Sequence, residues 1–545
     1  MKPYQLKRIE NTALAVILLL ALALRLDGLG WGMPNARHLF SYHPDEAPLL
    51  GAVWYILTTG DWDPHFYHYG TFYIYLVAVC AKAGALMGLV AVPQGGWVEL
   101  HWIARALTAL MGTATVYFAY LIAKRLGGLP VGLGAAALLA VLPAHVVNAH
   151  YATVDIPATF LVTLLLFILL HLFGRAEISW YVLAGVVLGL AAATKYTVVL
   201  AAVPFLAAHI FGRDEHGYSP SILYLIVGIA VAAVAFYAVT PYMLLLTKEG
   251  FRLNPDMVRD VRFEMEHMRA GGTFAFVNTG PGWVYHLLRS LPAAMGYAAL
   301  ALALVGAVLM MQRGGAVGLV LFAFALPYFG VVGAGKERFL RYMIPLLPVL
   351  AISAVYALWR LRQASLAGLG PWGSLAAPAL LAAGVFAVTL WYASQMVQIM
   401  AAPDVRTAAA DWLRPRLERT TKVGLADAPW YYTPAITPYN AGALSLAEFQ
   451  RWQQDNPPYR IIIIGWDAAK LRRERPHYFI VSDAEYADLL RLKRPDAVAL
   501  MNALPQSYAK LRAFEPPPPL PWLRPPKLAC PPDWLYTWPR VEVFY

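Results

Sequence analysis

The chain has 545 residues, 59% of them hydrophobic and only 14% charged, with a formal net charge of +11. A soluble domain carries roughly 25% charged residues, so this deficit, together with long apolar runs, excludes an ordinary soluble protein and predicts a polytopic α-helical membrane protein. The basic residues are scattered singly, which argues against nucleic acid as a partner and leaves the bilayer and topology-setting loops to account for the charge.

Lys2, Lys7 and Arg8 precede an apolar run from Thr12 to Leu24. The run has the length of a signal-peptide core. No small-residue cleavage site follows, and Arg25 and Asp27 come next, so it reads as an uncleaved first span with Arg25 snorkelling to the far surface. Ten further spans are predicted, roughly at 102–123, 131–143, 156–173, 180–193, 197–211, 222–246, 292–311, 317–332, 342–359 and 375–399. The segment 69–92 is long enough to cross, and parity decides how it is read. With the N-terminus cytoplasmic and 69–92 lying at the outer surface or re-entering, Lys124, Arg125, Arg175, Arg213, Arg313, Arg360 and Arg362 all fall inside. The same choice gathers Asp45, Asp155, Lys195 and Arg341 outside. The expectation is therefore about eleven spans, with 69–92 as a juxtamembrane or re-entrant element.

After Met400 the character changes. Residues 404–417 read as an amphipathic helix, 460–465 and 478–481 as strands, and 467–473 and 484–492 as helices, a pattern that predicts a small α/β domain. Prolines from Pro516 onward suggest an extended strap. The division expected is 1–400 for the membrane domain and 401–545 for an extracytoplasmic domain. Cys80 falls in an apolar helix and Cys530 in the tail, so no disulfide is expected, and no Cys/His spacing suggests a metal site.

Four features carry candidate chemistry. Tyr42-His43-Pro44-Asp45-Glu46 puts two carboxylates beside a membrane, where charge is costly. Pro44 and the following acids also suit a helix start. Asp155 opens a span just before Pro157, as a catalytic group or an N-cap. Lys195, between two apolar stretches and beside Thr194 and Tyr196, suits a phosphate or a snorkelling anchor. The box Lys336 to Pro345, with Arg338, Arg341 and Tyr342, is a basic flank that parity places on the outer side. Arg105, His68 and Tyr69 are weaker candidates. Carboxylates suit general-base work on a hydroxyl or amine, and cations suit a developing phosphate charge. A membrane enzyme acting on a lipid-carried phosphate needs both. A transporter or lipid flippase would need charges deep within spans. A structural subunit of an envelope complex would use the tail for assembly.

Leu24-Arg25-Leu26-Asp27-Gly28-Leu29-Gly30 followed by His43-Pro44-Asp45-Glu46 resembles the opening of GT-C glycosyltransferases of the protein O-mannosyltransferase and aminoarabinose-transferase type. So do Arg105-Ala106-Leu107, Tyr151…Asp155-Ile156-Pro157, Gly189…Thr194-Lys195-Tyr196 and Arg338…Arg341-Tyr342…Pro345-Leu346-Leu347-Pro348, in family order across roughly the first 400 residues. The resemblance implies a GT-C fold with juxtamembrane helices in the first outer loop. It implies a polyprenyl-phosphate sugar donor, inverting transfer on the periplasmic or exterior face of the cytoplasmic membrane, and an acceptor that is protein, lipid or polysaccharide. Asp45 would be the base with Glu46 supporting, and Asp155 would orient the acceptor or share the base role. Lys195 and Arg341, with Arg338 and Tyr342, would hold the phosphate. His43, Arg105, His68, Tyr69 and His150 would contact donor or acceptor. No organic cofactor is implied, and the carboxylates are compatible with a divalent cation. Where many relatives carry a Lys/His-Pro-Pro box, this chain has His68-Tyr69-Gly70-Thr71.

Overall fold

The computed structural model describes residues 3–35, 40–91, 96–175, 177–248, 250–363, 370–437, 451, 454, 458–516 and 530–545. Among them six helices are long and apolar enough to cross a membrane: Tyr4–Leu26, Trp97–Ala140, Asp155–Leu172, Gly315–Val332, Leu340–Gln363 and Ala376–Arg416. Gly282–Met295 and Tyr297–Arg313 form a further, broken span whose halves meet at 116°. Four shorter apolar helices are Phe72–Leu86, Ile178–Ala192, Tyr196–Phe211 and Ile222–Ala238. The protein is a multi-pass helical membrane protein with a small C-terminal sheet domain.

Local chemistry explains where these helices break. Trp97–Ala140 leaves helical geometry at Gly127 and Gly128, just before Pro130, because glycine tolerates the positive φ that a sharp kink requires. The segment expected to run from 222 to 246 stops at Ala238. Thr240 and Pro241 end the helix, and β1 (Leu244–Thr247) pairs antiparallel with β2 (Gly250–Leu253) instead. The 292–311 span is broken by Gly296 at φ 81°. Ile178–Ala192 is apolar on every side, so no polar face fixes its packing. Its Gly185 and Gly189 instead lie so close to the Gly228 and Ala232 carbonyls of the Ile222–Ala238 helix that a Cβ at either would overlap them. Small residues four apart are the usual means of such close helix contact in lipid.

Arg25 does not snorkel. It is fully buried, donating to the Ala21 carbonyl at 2.7 Å and the Ala140 carbonyl at 3.1 Å, and its Nη2 lies 2.8 Å from His145. The neighbouring helices shield it, so the side chain binds helix ends rather than reaching for water.

The 69–92 segment forms the helix Phe72–Leu86, which packs on Glu46–Thr59 through Leu49, Leu50, Val53 and Ile56 against Tyr73, Ile74 and Val77. Gly60, in a left-handed conformation, ends the first of these helices with its N–H on the Ile56 carbonyl. Two charge groups sit at opposite ends of the bundle. Asp155 opens the Asp155–Leu169 helix at the end that carries Asp45, Lys195 and Arg341. At the other end Arg125 donates to the Leu170 carbonyl and to His171, and Gly174 N–H meets the Arg213 carbonyl.

The C-terminal sheet has five strands: β3 (Lys422–Leu425), β4 (Arg460–Ile463), β5 (Tyr478–Ser482), β6 (Lys510–Phe514) and β7 (Val541–Phe544). Their order is β4-β3-β5-β7-β6, parallel across β4, β3 and β5 and antiparallel beyond. The predicted strands and helices lie within two residues of the observed ones, apart from the 404–417 helix, which closes at Leu413 and continues as a short 3-10 turn. Strands β3, β6 and β7 and the helix Pro495–Ser507 are additions. Apart from Pro516, the start of the expected strap lies outside the described residues.

Candidate active site

His43-Pro44-Asp45 leads directly into the Glu46–Thr59 helix. Asp45 occupies the N-cap position, yet its side chain makes no capping bond. Its carboxylate turns instead to Arg341, Nη2 to Oδ2 at 3.1 Å. The adjacent Glu46 points the other way, into the bundle. It is fully buried and takes two bonds from Arg105, at 2.9 and 2.7 Å, one from the Ala152 N–H at 2.6 Å, and one from the Ser41 hydroxyl. Arg105 spends its remaining donors on the Leu29 and Trp31 carbonyls, both at 2.7 Å, and on the Ser41 hydroxyl oxygen at 3.3 Å. Burial alone would raise the Glu46 carboxyl, but the charge and hydrogen bonds of Arg105 outweigh it and hold the group at about 2. The two carboxylates of one dipeptide thus have separate tasks, one facing the site and one bracing the fold.

Lys195 and Asp155 form a second buried pair, Nζ to Oδ1 at 2.6 Å. Lys195 sits in extended backbone between Ile178–Ala192 and the 3-10 turn Tyr196–Ala201. Gly70 fixes that junction. The Phe72 N–H bonds the Ala193 carbonyl at 2.9 Å, and a Cβ on Gly70 would overlap the same carbonyl. Tyr196 donates to the Tyr67 and Tyr69 carbonyls, tying the loop down beside the lysine. Val154, not Asp155, takes the N-cap position, so the carboxylate is left for the lysine.

Asp45, Arg341 and Lys195 line one cavity of about 990 Å³ together with His68, Tyr69, Phe339 and Tyr342, while Asp155 meets Lys195 and does not itself line it. Lys195 Nζ and the Arg341 guanidinium lie 5.1 and 5.7 Å from the Tyr342 ring centroid, so both cations border the same ring. Lys336 and Arg269 add charge at the wall, and Val261, Met265, Met268, Val331 and Val332 give it an apolar flank.

The other residues singled out from sequence lie elsewhere. Arg338 donates to the Thr279 hydroxyl and to the Phe276 carbonyl at 3.4 Å, and does not line the cavity. His150 spans the Val146 and Asp27 carbonyls, at 2.9 and 2.8 Å. His43 packs between the rings of Tyr151 and Tyr536, and burial pushes its imidazole below the ordinary value. Arg105, His43 and His150 therefore support the site from behind. Among the described residues no group of three or more His, Cys, Asp or Glu side chains stands together as a metal site.

Part of the wall went unseen in the sequence. Trp430, Tyr431, Pro532 and Tyr536 of the C-terminal domain close the cavity over Arg341. Their one sequence signal is aromatic density, Trp430-Tyr431-Tyr432 and Trp534 to Trp538. Glu337, fully buried, binds the Gly272 and Thr273 N–H groups at 2.6 and 3.0 Å and so pins the loop after Pro255–Ala270 to the arginine box.

The loop at 61–69 is held to the Pro255–Ala270 helix by His65 on Asp256 at 2.8 Å, His68 on Glu264 at 2.9 Å, and the Tyr67 N–H on Asp260 at 2.8 Å. The hydrogen bond to Asp256 raises His65, and that to Glu264 raises His68. A raised histidine contributes stability that is complete below its unfolded value of ~6.5 and is lost as pH rises through the folded one. Both pairs are partly exposed, so screening keeps the effect small. Hydrogen exchange at 61–69, corrected for intrinsic rate, should be several-fold faster at pH 9 than at pH 6. Equal protection at the two pH values would contradict the histidine clamp.

Residues 98–248 match the family model of dolichyl-phosphate-mannose-protein mannosyltransferases. That stretch carries Arg105, Asp155 and Lys195. The solved structure of the Archaeoglobus fulgidus oligosaccharyltransferase tethered to an acceptor peptide superposes with a TM-score of 0.53 at 13% identity, covering 94% of this chain and 73% of that one. The chain shares the fold of that structure, the GT-C fold. Cupriavidus metallidurans ArnT bound to undecaprenyl phosphate superposes on the chain with a TM-score of 0.49 at 15% identity, covering 98% of this chain and 97% of that one. No curated protein sequence matches the chain.

Proposed function

We propose that the protein is an inverting glycosyltransferase that moves a sugar from a polyprenyl-phosphate donor to an acceptor on the extracytoplasmic side of the cytoplasmic membrane. One observation carries the reading. A single large cavity with an apolar flank contains a carboxylate in direct contact with an arginine, and a lysine that borders the same tyrosine ring as that arginine. The match of residues 98–248 to a family named for a dolichyl-phosphate sugar supports the same donor class.

The chemistry follows from charge. Lys195 and Arg341 are the cations suited to the phosphate, which leaves as the acceptor oxygen or nitrogen attacks the sugar carbon from the opposite side. The bond from sugar carbon to phosphate oxygen breaks, the bond to the acceptor forms, and Asp45 takes the acceptor proton. Asp155 keeps Lys195 in place. A phosphate entering the site competes with Asp45 for Arg341, so donor binding frees the base. Eleven crossings, with Phe72–Leu86 at the outer surface, put Asp45, Asp155, Lys195 and Arg341 outside and the Arg125 and Arg213 end inside, as the positive-inside rule requires.

The test is purified protein in lipid nanodiscs supplied with labelled polyprenyl-phosphate sugars and an envelope fraction as acceptor. Label should pass into protein, glycolipid or polysaccharide, and the fraction that takes it names the acceptor. No transfer from any such donor, in a preparation that folds and binds lipid phosphate, contradicts the reading.

A further inference from the structure

The geometry assigns Asp533, in the C-terminal domain, as a positioning residue that sets Arg341 in place for the donor phosphate; the inference rests on the proposed transferase reading. The 3-10 turn Leu340–Leu346 starts after Phe339, whose side chain offers no acceptor. The first N–H groups of such a turn have no partner within it. Asp533 supplies one from 192 residues away. Its Oδ1 accepts from the Leu340 N–H and its Oδ2 from the Arg341 N–H, both at 2.9 Å. A carboxylate at a turn's N-terminus is also favoured by the dipole. It normally comes from the residue just before the turn.

Asp533 is itself held in place. The Trp534 indole donates to the Tyr392 hydroxyl at 2.9 Å, and Arg406 donates to the Tyr536 carbonyl at 3.0 Å. Arg406 is clamped in turn by Asp404 through Nε at 2.7 Å and Nη2 at 2.6 Å. The Tyr536 hydroxyl lies 3.4 Å from Arg341 Nη1. The backbone of Arg341 is thus fixed by the tail on one side while its guanidinium meets Asp45 on the other. Asp533 does not line the cavity, so it acts through Arg341 and touches no substrate.

The experiment is a double-mutant cycle on the full chain in nanodiscs, reading the dissociation constant for undecaprenyl phosphate. Asp533→Ala should weaken binding about tenfold, the scale of one or two charge-assisted bonds lost. Asp533→Asn keeps one acceptor and should lose less. In an Arg341→Gln background, Asp533→Ala should add almost nothing. A loss of unchanged size in that background, or wild-type affinity in both Asp533 variants, overturns the assignment. Melting temperatures separate a general loss of fold from this coupling. Asp533→Asn serves where the alanine variant does not fold. Absence of lipid-phosphate binding in the wild type would instead refute the transferase reading, and this inference with it.

Discussion

Asp45→Asn is expected to cut transfer by roughly 10²–10⁴-fold, the range a positioned general base supplies, and to tighten the binding of lipid phosphate. The two effects have one cause. The Asp45 carboxylate holds the Arg341 guanidinium at 3.1 Å. An entering phosphate has to displace it. The amide of asparagine competes weakly for that cation, so the phosphate gains, while the acceptor proton loses its destination. Folding should be untouched, because the Asp45 side chain caps no helix. Isothermal titration with undecaprenyl phosphate and a turnover assay on the same preparation check both halves. Weaker phosphate binding by the variant would contradict the idea that Asp45 and donor share Arg341.

The neighbouring residue should behave in the opposite way. Glu46→Ala removes the partner of a fully buried arginine and takes the acceptor from two other donors, the Ala152 N–H and the Ser41 hydroxyl. Breaking a buried pair by removing one member costs about 3–5 kcal/mol, because the remaining charge has no solvent. The variant is therefore expected to melt far lower or to fail to express, and Arg105→Ala likewise. Thermal unfolding followed by tryptophan fluorescence in detergent reads the difference. The sign of the pH dependence is set by the depressed carboxyl. With its folded value at about 2, the contribution of Glu46 is complete above the unfolded value of ~4.3 and is lost only as pH falls through about 2. A Glu46→Ala protein as stable as wild type, with transfer alone abolished, would move Glu46 from the brace to the chemistry.

The contrast between these two adjacent acids shows what was legible in the chain. The His43-Pro44-Asp45-Glu46 box, Asp155, Lys195 and Arg341 could be found because charge is rare in so apolar a sequence, and parity predicted that they meet on one side. The direction of each side chain could not be found. Asp45 and Glu46 differ by about 100° of helix rotation, and only the packing of Trp97–Ala140 decides which one meets an arginine in the interior. Arg25 misled for the same reason, since an arginine at a span's end usually reaches for water, and here the helix end at Ala140 and His145 receives it. The soluble tail was legible as strands and helices, because alternation and caps are local. Its part in the cavity was not, because Asp533 and Tyr536 meet Arg341 across more than 190 residues, and no local pattern encodes such a contact.

The central claim is that one phosphate occupies the space between Lys195 and Arg341 with Asp45 beside it. A cryo-electron microscopy map of the protein in nanodiscs with undecaprenyl phosphate tests this directly. The account predicts phosphate density within ~4 Å of both Lys195 Nζ and the Arg341 guanidinium, the range of charge-assisted contact, with Asp45 released from Arg341 and the polyprenyl chain running along Met265, Met268 and Val331. Phosphate bound elsewhere, with the Asp45–Arg341 and Asp155–Lys195 pairs both intact, would contradict it.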